Sequence, residues 1–316
     1  MKALITGVRG FCGSHLVRRL RQEQNVEVAG LDTAAAPPEN MSLERYFQGD
    51  VRDSEAMAIA VRSFRPDWLF HLAGASALAG SEALIYEVNV TGTVHILEAV
   101  AVNAPDCSVL VLGSAAEYGP VEASALPIEE DAVCRPKGPY GISKYAATLA
   151  SLDYANRRGL KVVVARPFNI VGPGIPPSLV VGALIARAKR ALLASDPVVK
   201  IGDMESERDF VAASDAADAY VRLLQGRFSG EIFNICSGRA YSIRHVAESL
   251  LANAPRHITL EVDPNLVSHS PIRCIYGSRK KAERAIGFQP TMSLEEILKE
   301  VWNSEIGIGS ACASPS

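Results

Sequence analysis

The chain has 316 residues, 48% of them hydrophobic and 21% charged, with a formal net charge of -3. That length holds one large domain, or a domain with a smaller lobe, around a substantial core, and the slight negative balance excludes nucleic-acid binding that rests on a basic surplus. No run approaches the roughly 18 apolar residues of a membrane span, and Lys2 leads only into a short apolar run before Gly7, unlike a signal peptide. A soluble cytoplasmic protein without a membrane partner is therefore expected.

Residues 3–6 read as a short buried strand, followed at once by glycines, and apolar residues at helical spacing (Phe11, Leu16, Val17, Leu20) predict a helix over 11–23. A second strand spans 26–31 and ends in Asp32. Residues 33–40 read as an Ala/Pro-rich loop, and Tyr46-Phe47 as a short third strand. A helix follows over 54–64 with Asp53 as its N-cap, then a strand over 68–72, a long helix over 82–102 and a strand over 108–112. Another long helix spans 140–156, and a sixth strand spans 160–165. Strand alternating with helix marks a parallel sheet covered on both faces. The fold class is α/β, a Rossmann-type doubly wound parallel sheet with a smaller C-terminal substrate-binding lobe. After residue 172 the alternation lapses. The chain divides into a NAD-binding domain over 1–171, a lobe over 172–304 with one strand-helix excursion (231–251) able to return to the sheet, and a flexible tail over 305–316.

Gly7, Gly10 and Gly13, with Phe11 and Cys12 between, form a G-x-x-G-x-x-G turn between a strand and a helix. Residues without Cβ let the backbone approach a pyrophosphate, and the helix N-terminus offers free N–H donors to its charge. Asp32 stands where an acid accepts hydrogen bonds from the adenosine ribose. It repels a 2′-phosphate, and no Arg follows closely, so NAD(H) is favoured over NADP(H). Asp50 and Val51 are candidate adenine contacts. Tyr140 and Lys144 lie four apart on one helix face. A neighbouring ammonium favours the phenolate and lowers a tyrosine pKa from its ordinary value of about 10, and Lys144 can also hold the nicotinamide ribose. Ser114, at a strand end, can hydrogen-bond the same substrate oxygen. The three form a candidate proton-transfer site beside a hydride carrier. Six cysteines and six histidines are scattered without C-x-x-C or H-x-x-x-H pairs, so reduced thiols and no metal are expected.

These pieces, with His71-Leu72-Ala73-Gly74, Asn89-Val90-Thr91-Gly92-Thr93 and Arg166-Pro167-Phe168-Asn169, run in the order found in the extended short-chain dehydrogenase/reductase family, which the sequence resembles over nearly its whole length. The resemblance adds Leu72, Ala73, Gly74, Asn89 and Pro167 to the cofactor contacts. It implies a nucleotide-diphosphate-sugar substrate and a homodimer formed through the helices near 82–102 and 140–156. Phe168 to Gly174, Val199 to Asp203, Arg208 to Val211 and Asn234 to Gly238 are most similar to GDP-4-keto-6-deoxy-D-mannose reductases and GDP-mannose 4,6-dehydratases. By that similarity Asn169 contacts the sugar-linked phosphate and Arg208 the diphosphate, with Ser114 and Ala115 beside the sugar. An ion pair with Glu205 or Glu207 is the competing role for Arg208. Two departures stand out. Ala115 and Ala116 occupy the region where the dehydratases carry an acid, and Glu117, one residue on, is expected to point elsewhere. Ser268-His269-Ser270-Pro271 replaces a nucleotide-gripping Arg-Pro stretch, leaving Arg273 as its substitute. The expected activity is NAD(P)-dependent reduction of a nucleotide-linked 4-keto-6-deoxyhexose at C4, with Tyr140 as the acid. The alternative is a 4-epimerase that retains its NAD. A 4,6-dehydratase and a non-catalytic NAD sensor are weaker rivals.

Overall fold

Continuous apolar runs, not alternating ones, make the central strands. Ala3, Leu4 and Ile5 are all fully buried, as they must be in a sheet with helices on both faces. The computed structural model describes residues 1–76, 80–266 and 272–306. Strands β1 (Lys2–Thr6), β2 (Glu27–Asp32), β3 (Arg45–Gln48), β4 (Trp68–His71), β5 (Ser108–Leu112) and β6 (Lys161–Pro167) are joined by Ile232–Ile235 in a seven-stranded sheet. Its order is Ile232–Ile235, β6, β5, β4, β1, β2, β3, and all of its pairs are parallel. β1 lies between β2 and β4, so the direction of winding reverses there. That reversal opens the crevice in which such sheets bind ligands.

Helix α1 (Phe11–Leu20) and the helix Ala213–Gln225 cover one face, packing Leu16, Leu20, Ala216 and Tyr220 with Phe233 of the sheet. The other face is covered by α2 (Ser54–Phe64), α3 (Glu82–Tyr86), α4 (Gly92–Asn103) and α5 (Gly138–Arg158), with Met57, Val61, Leu97, Val100 and Tyr154 in its core. Asp53 caps α2 by accepting the Glu55 and Ala56 N–H groups. A separate apolar cluster, including Ile185, Val246, Leu250, Leu298 and Trp302, joins the helices Val180–Ala191, Ile243–Leu251 and Leu294–Glu305.

Two expectations need correction. The segment 82–102 is not one α-helix, because a π-helical turn, Glu87–Thr91, separates α3 from α4. The wider turn lets buried Asn89 face inward, where its side chain accepts the Ala75 N–H (2.7 Å) and donates to the Ala75 carbonyl (3.0 Å) and to Ser143 Oγ (2.9 Å). Single π-turns of this kind recur at functional sites, and hydrophobic spacing alone does not report them. At the far end, Glu305 is not part of a loose tail. It closes the last helix and accepts the Gly174 N–H (2.9 Å) and Lys189 Nζ (3.2 Å). Residues 307–316, like the stretch 268–271, lie outside the described residues.

Candidate active site

The glycine turn is shaped for close approach. Gly7 has φ +68°, and a Cβ there would stand 2.7 Å from the Ala73 nitrogen; one on Gly13 would stand 2.7 Å from the Gly7 oxygen. Gly10 is the N-cap of α1, whose first turn carries no acidic residue to compete for its N–H groups. A strand end, a turn whose glycines let the backbone pack tightly against itself and the Ala73 loop, and a bare helix N-terminus together fit a dinucleotide pyrophosphate. Asp32 borders the turn and accepts the Arg9 N–H at 3.1 Å and the Thr33 N–H at 2.9 Å. The Arg9 guanidinium reaches the Ala36 carbonyl at 2.8 Å, in the loop that follows Asp32. Sequence reasoning searched after Asp32 for an Arg and missed this one, 23 residues earlier. Its only signal was a basic residue within the glycine turn.

Below the turn, buried hydroxyls and a histidine form a directed chain. Thr93 donates to the Asn89 carbonyl (2.6 Å), so it accepts from His71 Nε2 (3.1 Å), and bare His71 Nδ1 accepts from Thr6 Oγ1 (2.8 Å). Thr6 in turn accepts the Ala73 N–H at 3.3 Å. Every polar atom is satisfied with the imidazole neutral, and burial pushes the His71 pKa down to about 3. The chain fixes the loop that contains Leu72, Ala73 and Gly74.

A cavity of about 740 Å³ opens from here into the lobe. Its walls include Phe11, Cys12, Leu72, Gly74, Pro167 and the trio Ser114, Tyr140 and Lys144. Lys144 is buried, and its Nζ donates to the Leu112 carbonyl at 2.5 Å. Desolvation lowers its pKa, with the Glu117 charge opposing. The expected depression of the Tyr140 pKa is not found. Burial raises it, and the hydrogen bond with Ser114 only partly offsets that rise. Desolvation is the larger effect, and the shift is upward. Asp50 and Val51 stand away from this cavity. Asp50 is held by Arg52 (2.7 Å), which also pairs with Glu87 (3.2 Å), and buried Val51 packs against Gly92.

At the lobe end the cavity meets Ala115, Asn169, Arg187, Asp203 and Arg208. Asn169 is fixed by donating from Nδ2 to the Asp209 carbonyl at 2.8 Å. Arg208 donates to the carbonyls of Glu207 (2.8 Å), Ile272 (3.0 Å) and Arg273 (3.3 Å). The competing ion pair is not formed, since Glu205 pairs with Arg244 and no carboxylate bridges Arg208 among the described residues. Desolvation lowers the Arg208 pKa, with the Asp203 charge opposing, and an anion in the cavity would add to that compensation. Arg273 has an exposed side chain away from the cavity and contributes its carbonyl to Arg208. Arg187 was missed by sequence reasoning. It projects from the helix Val180–Ala191 and rests on the Lys200 carbonyl at 3.0 Å. Glu117 points away from the cavity. It is fully buried and pairs with Arg166 Nε at 2.7 Å.

A parallel sheet with a glycine turn at its point of reversal, and a Ser, Tyr and Lys converging beyond it, defines an NAD(P)-dependent enzyme of the short-chain dehydrogenase/reductase type. The chain belongs to the NAD dependent epimerase/dehydratase family, whose model matches residues 3–236. GDP-6-deoxy-D-mannose reductase from Pseudomonas aeruginosa is 30% identical over 96% of this chain and 98% of its own. UDP-glucose 4-epimerase from Mycolicibacterium smegmatis is 29% identical over 94% and 96%. Among solved structures, RMD from Pseudomonas aeruginosa complexed with NADPH is 28% identical with a TM-score of 0.83, covering 96% of this chain and 98% of that one. The UDP-glucose 4-epimerase of Thermus thermophilus, in complex with NAD, is 28% identical with a TM-score of 0.86, covering 98% and 100%. Among the described residues no helix is long and apolar enough to cross a membrane.

Proposed function

We propose that the protein reduces the C4 carbonyl of a nucleotide-linked 4-keto-6-deoxyhexose, with GDP as the leading nucleotide. The observation that carries this reading is the proton inventory at the cavity floor. Tyr140 places its hydroxyl at the cavity wall with Ser114, Ala115 and Ala116 carry no titratable proton, and Glu117 is committed to Arg166. That set can protonate an oxygen, but it offers no base to remove the C5 proton, as loss of water from the sugar requires. The likeness to the Pseudomonas aeruginosa reductase points the same way.

In this reading Gly7, Gly10, Phe11, Cys12 and Gly13 hold the pyrophosphate of the cofactor, Asp32 its adenosine ribose, and Leu72, Ala73, Gly74, Asn89 and Pro167 its nicotinamide half. When bound, NAD(P)H supplies the hydride equivalent. Lys144 holds the nicotinamide ribose, Ser114 hydrogen-bonds the C4 oxygen, and Tyr140 gives that oxygen its proton. Asn169 and Arg208 take the phosphates, with the planar guanidinium suited to paired phosphate oxygens. A second copy pairs through α4 and α5, where Ile142 and Leu149, seven apart on α5, are exposed; sedimentation analysis of Leu149→Glu, expected to be monomeric, tests this.

The deciding assay follows absorbance at 340 nm with NADH or NADPH and a panel of GDP-, UDP- and dTDP-linked 4-keto-6-deoxy sugars. Stoichiometric loss with one of them is expected. No loss, with NAD recovered from the denatured protein, would overturn the reading in favour of a 4-epimerase. That second reading is favoured by Asp32, which suits a retained NAD, and by the similarity to UDP-glucose 4-epimerases.

A further inference from the structure

Ser114 stands just beyond β5 as the N-cap of a single 3-10 turn, Ala115–Glu117, with extended backbone. Two reciprocal bonds fix it. Its hydroxyl oxygen accepts the Ala116 N–H at 3.1 Å, and its own N–H donates to Glu117 Oε1 at 2.8 Å. The second carboxylate oxygen of Glu117 accepts Arg166 Nε at 2.7 Å. A Cβ on Gly113 would stand 2.5 Å from Glu117 Oε1, so the glycine before Ser114 is what lets the carboxylate reach the backbone. Arg166 lies over the Tyr118 ring (4.9 Å), and Tyr118 donates to Asn234 Oδ1 at 2.7 Å. The bracing therefore runs from the end of β5 through β6 to Ile232–Ile235.

An ion pair this deeply buried is a costly way to cap one turn. Apolar replacements for such pairs are often neutral or favourable for stability, and a capping box needs only one acceptor for the N-cap N–H. What the pair provides is direction, because the two oxygens of the carboxylate are fixed by separate donors, the Ser114 N–H beyond β5 and Arg166 on β6.

We infer that Glu117, held by Arg166, is a positioning residue that sets the orientation of Ser114 toward the reacting oxygen. The inference rests on the role given to Ser114 above. It assigns the acid next to Ser114 to alignment and not to proton transfer.

The test uses paired substitutions, because removing one charge alone strands the other. Turnover is followed with GDP-4-keto-6-deoxy-D-mannose and whichever of NADH and NADPH the wild-type enzyme oxidises faster. Glu117→Leu/Arg166→Met is expected to lower kcat roughly 10- to 100-fold, the scale of a misplaced reacting group, with the KM for that cofactor and the melting temperature close to wild type. Glu117→Gln/Arg166→Met keeps an acceptor for the Ser114 N–H and is expected to recover most of the loss. In a Ser114→Ala background, Glu117→Leu/Arg166→Met is expected to add nothing, since residues acting through one another are not additive. Wild-type kcat in Glu117→Leu/Arg166→Met, no recovery with Gln, or a full further loss in the Ser114→Ala background would overturn the proposal. A fully active Ser114→Ala enzyme would instead overturn the reading of Ser114 on which it rests.

Discussion

Replacing Arg166 alone by Met keeps the volume of the side chain and removes its charge. Glu117 then loses its cationic partner and keeps the Ser114 N–H as a donor in a site where it is 0% exposed. Breaking a buried pair from one side costs about 3–5 kcal/mol, and loss of the cation over Tyr118 adds about 1 kcal/mol. At about 2–4 °C per kcal/mol for a chain of this size, the melting temperature should fall by roughly 10 °C or more at pH 8. The deficit should depend on pH. Burial already holds the Glu117 carboxyl above its ordinary range, with Arg166 pulling it back, and removing the arginine raises it further. In the unfolded chain the group titrates near its ordinary value of about 4.3. The folded variant therefore binds the proton more tightly than the unfolded chain. Its stability falls as pH rises through the interval between the two values, and the deficit is largest above the folded value. Calorimetric melts of wild type and variant at pH 8 and pH 5.5 measure this, with a smaller gap expected at the lower pH. Equal melting temperatures at pH 8, or a gap of the same size at both, would refute the reasoning.

Three further outcomes follow from the site. Tyr140→Phe should lower kcat by roughly 10²- to 10⁴-fold, the worth of a placed general acid, with cofactor affinity by fluorescence titration unchanged; sustained turnover would remove Tyr140 from the chemistry. Arg208→Ala should raise the KM for the nucleotide-sugar roughly 10- to 100-fold, corresponding to about 1.5–3 kcal/mol for bonds to a charged group, and should affect kcat less; an unchanged KM would show that phosphate binds elsewhere. Arg9→Ala should weaken NADPH more than NADH, because its guanidinium brings a cation to the loop that follows Asp32; equal losses for both cofactors would contradict that role.

The sheet was legible in the sequence because its strands are buried on both faces and read as unbroken apolar runs, and because turns and caps punctuate them. Helix α2 carries its own cap in Asp53 and begins and ends where the pattern predicted. The glycine turn and the Tyr140/Lys144 spacing were equally legible, since each depends on local geometry. Features that depend on distant partners were not. The π-turn at Asn89 is set by what that side chain must reach in the loop at Ala75. The ion pair between Asp50 and Arg52, which extends to Glu87, was likewise not legible in the turn that holds Asp50. The Tyr140 pKa could not be read from a four-residue spacing, because burial, which no short motif reports, dominates it. The same holds for Arg208, whose partners come from the chain 64 and 65 residues away.

The position of Ile232–Ile235 in the sheet bears on how the protein is made. That strand pairs with β6, yet a ribosome completes β6 and then synthesises more than 60 further residues before supplying its neighbour. Until then β6 presents an open hydrogen-bonding edge, the kind of surface that invites pairing with another chain. Asn234 also receives the Tyr118 hydroxyl bond and donates to the Ile128 carbonyl, so the support beneath Ser114 is completed in the same event. A nascent chain stopped at residue 230 would carry the glycine turn, Ser114, Tyr140 and Lys144 and still lack the strand that closes the sheet behind them.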